Sequence, residues 1–151
     1  MRFAAFEPGM VITTPTYVVQ EAEVLQFAAA YDPQWFHTDP QAARDGRFGG
    51  LIASGWHTCS IAMRLLADQV LAGSESYASP GIAYIRWPHP VRPGDVLQVR
   101  ATVLEARVSR SQPGLGLLRW RWQMHKADGV EVLDLEATSL FDLTRAPGAP
   151  G

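Results

Sequence analysis

Apolar and polar positions alternate most regularly in the last third of the chain. Leu118, Trp120, Trp122 and Met124 alternate with Arg119, Arg121, Gln123 and His125, and Leu97, Val99, Ala101 and Val103 alternate with Gln98, Arg100 and Thr102. A period of two marks half-buried strands, so strands are expected over residues 96–106 and 115–125. Asp128-Gly129 is a strong hairpin signal and leads into a further strand over 130–141. Residues 77–87 read as another strand. Pro88, Pro90, Pro93 and Gly94 break the chain after it, because proline cannot donate to a ladder.

The N-terminal half has a different rhythm. Residues 10–18 are rich in β-branched side chains and predict a first strand, and 21–30 carry the alanine and leucine content of a short helix that stops at Asp32-Pro33. Asp39-Pro40 pairs a capping residue with a proline at the first helical position, which predicts a helical turn over 41–44, followed by a flexible loop over 46–50. Residues 54–71 place apolar or small side chains on nearly every side, with Gly73 as a stop, and this predicts a helix buried all round at the centre of the fold. There is no internal repeat. One compact domain is expected over residues 1–143, with a disordered tail over 144–151.

A long central helix followed by antiparallel strands predicts an α+β domain in which a curved antiparallel sheet wraps the helix, the hot-dog arrangement. A single such sheet leaves one side of the helix and one sheet edge open, so at least a homodimer is expected.

Composition narrows the partners. With 151 residues, 47 % of them hydrophobic, the chain is long enough to bury its own core. The net charge of -2 and the scattered basic residues argue against nucleic acid and membrane surfaces. No apolar run reaches the roughly 20 residues of a membrane span, and the N-terminus lacks the pattern of a secretory signal, so the cytoplasm is the expected location. Cys59 is the only cysteine and cannot form an internal disulfide. Lys126 is the only lysine, an arginine bias attributed mainly to genome composition.

The candidate chemistry lies between Tyr31 and Gly55, which together hold an acid, an imidazole and a glycine-led helix start. Each has a purely structural alternative: Asp32 before a proline is a common turn residue, and His37 can satisfy a buried backbone group. Asp39 reads as a helix cap, and Gly49 and Gly50 as turn residues. His57 and Cys59 are two residues apart on a helix and point in different directions, which argues against a nucleophile with its base. The four histidines and one cysteine show no metal-ligand spacing, so no metal is expected. Trp120 and Trp122 read as sheet core, and Arg86, Arg92 and Arg110 as solvated arginines.

The pattern Asp32…His37-Thr38-Asp39…Ala43…Phe48-Gly49-Gly50-Leu51-Ile52-Ala53-Ser54-Gly55…Ser60, continued by Pro90-Val91-Arg92-Pro93-Gly94-Asp95, resembles the MaoC-like dehydratase family, which includes the (R)-specific enoyl-CoA hydratases. The resemblance covers residues 10–143. It implies a hot-dog fold and a coenzyme A thioester ligand, with no bound cofactor beyond the coenzyme A of the substrate. By the same resemblance Asp32 and His37 hold the reacting water, and the Gly55 backbone N–H meets the thioester oxygen. Pro33 favours a loop in which the two side chains converge. The family usually reads Asp-x-Asn-Pro-x-His, whereas Gln34 and Trp35 stand here in place of the asparagine and proline. With Trp56 they are the candidate substrate-binding residues. A serine of some hydratases falls on Met63.

The expected activity is reversible addition of water to trans-2-enoyl-CoA. The alternatives are a hot-dog acyl-CoA thioesterase, disfavoured because the central helix carries only Asp68 as a carboxylate, and a non-catalytic acyl-CoA-binding protein.

Overall fold

The structure is a computed structural model that describes residues 1–145, so all but the first two residues of the expected tail lie outside the described part. In chain order the main elements are β1 (Val11–Thr13), β2 (Tyr17–Val18), α1 (Glu21–Tyr31), α2 (Trp35–Thr38), α3 (Pro40–Arg44), α4 (Gly55–Leu66), β3 (Ser76–Arg86), β4 (Val96–Val108), β5 (Leu115–Lys126) and β6 (Glu131–Asp142). The strands form one antiparallel sheet in the order β1-β4-β5-β6-β3, with β2 also pairing β4. Helix α4 lies on one face of it against β4 and β6. This is the expected hot-dog arrangement.

The alternation in β4 and β5 has the consequence that a period of two requires. Leu97, Val99, Leu118, Trp120 and Met124 are fully buried on the helix side. On the opposite face Arg119 bridges Glu105 and Glu136, and Arg121 grips Asp134 with two bonds of 2.9 and 2.8 Å. Gly129, at φ 89°, turns the β5–β6 hairpin, and Asp128 Oδ1 accepts the Val130 N–H at 3.0 Å.

Two expectations need correction. The first strand is interrupted: Pro15 separates β1 from β2, while Thr14 still donates its N–H to Val99 and accepts the Val99 N–H on its hydroxyl. The central helix is not buried all round. His57, Thr58, Ile61, Ala62 and Leu66 are buried, but Trp56, Ser60, Met63 and Arg64 form an exposed stripe, and the helix ends in a π turn over Ala67–Leu71. Tryptophan and methionine on the outer stripe hid the amphipathic pattern from a count of apolar residues.

The Pro90–Asp95 segment is a structural clasp. Asp95 Oδ2 accepts the Arg92 N–H at 2.7 Å, Gly94 at φ 88° donates to Val19 O, and Val19 donates back to Asp95 O. It ties the start of β4 to the start of α1, and Val91 O accepts the Ala53 N–H at 2.8 Å just ahead of α4.

Leu66 is fully buried and Met63 is 40 % exposed on the same helix. Leu66→Ala is expected to cost about 2–5 kcal/mol in urea unfolding, and Met63→Ala about 0.5 kcal/mol.

Candidate active site

Pro33 ends α1 and leaves Asp32 at its C-cap, with the Asp32 N–H still donating to Ala28 O at 2.9 Å. The chain then re-enters a single helical turn, α2, where the sequence predicts a loop. Gln34 O accepts the His37 N–H at 2.9 Å and the Thr38 hydroxyl at 3.1 Å, and these bonds close the turn. Asp39 caps α3 as expected, accepting from Gln41 N and Ala42 N at 3.0 Å each. Residues 51–54 then run buried beneath α2, with Ile52 N–H donating to Phe36 O, and deliver the chain to α4.

Two side chains from different turns meet at the end of this path. His37, 5 % exposed, places Nδ1 2.7 Å from Ile52 O. A carbonyl oxygen only accepts, so Nδ1 carries the hydrogen, and the neutral ring presents Nε2 as a lone pair. That nitrogen lies 3.3 Å from Asp32 Oδ2. His37 thus satisfies a buried backbone group with one nitrogen and faces the carboxylate with the other.

Asp32 is held ionised. Gln34 Nε2 donates to Oδ1 and Ser54 Oγ to Oδ2, both at 2.7 Å. The Gln34 amide and then the Ser54 hydroxyl hold the Asp32 carboxyl below the usual carboxylate range; His37 adds to this and burial opposes it.

His37, Gly55, Thr58, Trp87, His89 and Val132 are among the residues lining a cavity of about 250 Å³. Gly55 is the first residue of α4, so its N–H has no acceptor within the helix and carries the positive end of the helix dipole. A Cβ on Gly55 would lie 2.5 Å from the Trp87 indole. Glycine is therefore required here by the tryptophan packed on it.

The predicted residues separate into three places. His37 and Gly55 line the cavity, and Asp32 stands against His37 Nε2. Gln34 serves the Asp32 carboxylate. Trp35 lies on Gly46 and lines a separate hollow of about 200 Å³ with Phe36, Ala43 and Phe48. Trp56 meets Trp87 edge to face at 5.4 Å and lines a groove along the exposed stripe of α4. His57 stacks on Phe27 at 4.8 Å, and burial lowers its pKa while Glu23 opposes; burial likewise raises the pKa of the Cys59 thiol. Neither change suits a nucleophile and its base. Asp68 pairs with Arg64 at the surface. Among the described residues no cluster of three His, Cys, Asp or Glu could hold a metal ion, and no helix is long and apolar enough to cross a membrane.

Sequence reasoning missed Ser54 and Trp87. Ser54 stands at the N-cap of α4, yet among the described residues its side chain makes no capping bond, because its hydroxyl is committed to Asp32, 22 positions away. Trp87 reads as the end of a strand. No local pattern could have shown that it folds back onto Gly55.

Comparison with known proteins agrees with this fold. The family profile described as MaoC like domain matches residues 3–116. The chain is 30 % identical over 141 residues to the uncharacterized protein YdeM of Bacillus subtilis, covering 93 % of this chain and 99 % of that one. It is 37 % identical over 86 residues to the 3-hydroxyacyl-thioester dehydratase Z of Mycobacterium tuberculosis, 56 % of each chain. The crystal structure of the MaoC-like dehydratase from Rhodospirillum rubrum superposes with a TM-score of 0.85 at 35 % identity, over 95 % of this chain and 97 % of that one. A profile spanning most of the chain, and a fold shared along nearly its whole length, place this protein in the MaoC-like dehydratase family.

Proposed function

We propose that the protein adds water reversibly across the double bond of trans-2-enoyl-CoA thioesters to give 3-hydroxyacyl-CoA. The observation that carries this reading is the 3.3 Å approach of His37 Nε2 to Asp32 Oδ2 with the His37 Nδ1 hydrogen committed to Ile52. Each of the two groups can accept an O–H of the substrate water, and either can take its proton. The similarity to a 3-hydroxyacyl-thioester dehydratase supports the same substrate class.

The proton accounting follows from the partners of each group. Donors from Gln34 and Ser54 occupy the Asp32 carboxylate and weaken it as a base, so the Nε2 lone pair takes the proton as the water oxygen attacks the β-carbon. The adjacent carboxylate stabilises the resulting imidazolium. The π electrons move toward the thioester oxygen, where the Gly55 N–H meets the developing charge without reorganising. The imidazolium returns its proton to the α-carbon. Dehydration is the reverse sequence. These steps use only groups of this chain, and coenzyme A enters as part of the substrate.

The reading includes a second copy of the chain. β3 pairs only with β6 and is an eleven-residue edge strand, with Tyr77 56 % and Ile82 44 % exposed. An open apolar edge of this length suits pairing with its own copy. Light scattering after size exclusion should give a dimer or a larger closed assembly, and a monomer would count against it.

Asp32→Asn and His37→Ala are each expected to lower kcat for loss of the enoyl-thioester ultraviolet absorbance by about 10²–10⁴-fold. The double variant should fall little further, because the two groups act as one unit. Retained turnover in either single variant, or release of free thiol in place of hydration, would defeat the assignment. Gly55→Ala is a poor probe of the oxyanion contact, since it displaces Trp87.

Ser54→Ala removes one of the two donors that depress the Asp32 pKa. A depressed carboxyl stabilises the fold above its unfolded pKa and loses that contribution as pH falls through its folded pKa. In Ser54→Ala the Asp32 midpoint, followed by carbon-13 NMR of the carboxyl, should therefore move up, and acid destabilisation should begin at higher pH.

A further inference from the structure

We propose that Trp87 partitions the catalytic cavity from the groove along α4 and thereby restricts this protein to short acyl groups. The proposal rests on the hydratase reading and names its substrate class. Two hollows lie side by side at the first turns of α4. The catalytic cavity, about 250 Å³, is bounded by Gly55, Thr58 and Trp87, and the groove, about 660 Å³, by Trp56, Cys59, Met63 and Ile82. Consecutive residues, Gly55 and Trp56, thus line different hollows.

What stands between them is the Trp87 indole, held at three points by α4. Its ring lies against Gly55, so that a Cβ there would come within 2.5 Å. Its side chain lies near the Cys59 thiol, and its edge-to-face contact with Trp56 has a centroid distance of 5.4 Å. The tryptophan spans from the cavity wall, beside Gly55, to the groove wall at Cys59.

The sizes set the consequence. The cavity has less than half the volume of the groove, so a short acyl group suits it and a longer chain does not. The groove has ample room for a longer chain. Three of its four serine hydroxyls are engaged: Ser60 donates to Trp56 O, Ser79 to Thr138 O, and Ser139 accepts from the Trp120 N–H. The surface left to a ligand is mostly apolar. Trp87 is 41 % exposed, so replacing it opens the partition without removing a core side chain.

The experiment compares wild type, Trp87→Leu and Met63→Ala on trans-2-butenoyl-CoA, trans-2-octenoyl-CoA and trans-2-dodecenoyl-CoA. Wild type should favour the butenoyl substrate in kcat/KM by at least about tenfold. Trp87→Leu should erase or reverse that preference by raising the longer substrates, while Met63→Ala, in the groove beyond the partition, should leave it unchanged. In parallel, calorimetry with butyryl-CoA and octanoyl-CoA reads the same preference as binding, with no chemistry required. Absence of turnover with the binding preference intact and abolished in Trp87→Leu would overturn the hydratase reading and uphold the partition. Equal handling of short and long chains by wild type, or a Trp87→Leu profile identical to wild type, would overturn the partition. Failure to bind or turn over any of these thioesters would overturn both.

Discussion

The hydrogen bond from His37 Nδ1 to the Ile52 carbonyl is the constraint on which the site depends. It fixes which nitrogen carries the hydrogen, and therefore what the other nitrogen can do. With Nδ1 committed, Nε2 of the neutral ring is an acceptor facing an acceptor, Asp32 Oδ2, at 3.3 Å. The carboxylate, held by Gln34 and Ser54, thus faces the ring nitrogen that is left to exchange a proton.

Around this pair the architecture divides the work. The sheet and α4 supply a rigid floor, with Trp120, Leu66 and Leu97 wholly buried between them. The short turns α2 and α3 supply position, each closed by a few local bonds rather than by a core of its own. The Pro90–Asp95 clasp ties the two parts together through Val19 and Ala53. Displacement of any of these segments would move His37 relative to Asp32, because the two side chains come from different turns separated by Pro33.

Helix α4 serves two functions with opposite requirements. Its inner face must pack on the sheet, and in the proposed reaction its first turn must leave the Gly55 N–H unobstructed. Trp87 reconciles them by covering the glycine from the side while leaving Gly55 in the cavity wall. The cost is an outer stripe of Trp56 and Met63 that this chain does not cover.

The alternation from Leu97 to Met124, the Asp128-Gly129 turn and the Asp39 cap made the sheet, its hairpin and α3 legible in the sequence, because each is a local rule of period, turn or cap. The family motif singled out Asp32, His37 and Gly55, of which the fold brings the first two within 3.3 Å and sets the third at the start of α4. The interruption at Pro15 and the open face of α4 were not read correctly, the second because hydropathy does not report what lies opposite a side chain. Nothing in the local sequence marks Gln34 and Ser54 as partners of Asp32, and both are bound to it. The sequence alone thus determined the longer elements, their order and the chemical types at the candidate site. Only the tertiary structure decided which hydrogen-bonding groups face each other and what separates the two hollows, since those depend on contacts such as Ser54 with Asp32 and Trp87 with Gly55, made between residues far apart along the chain.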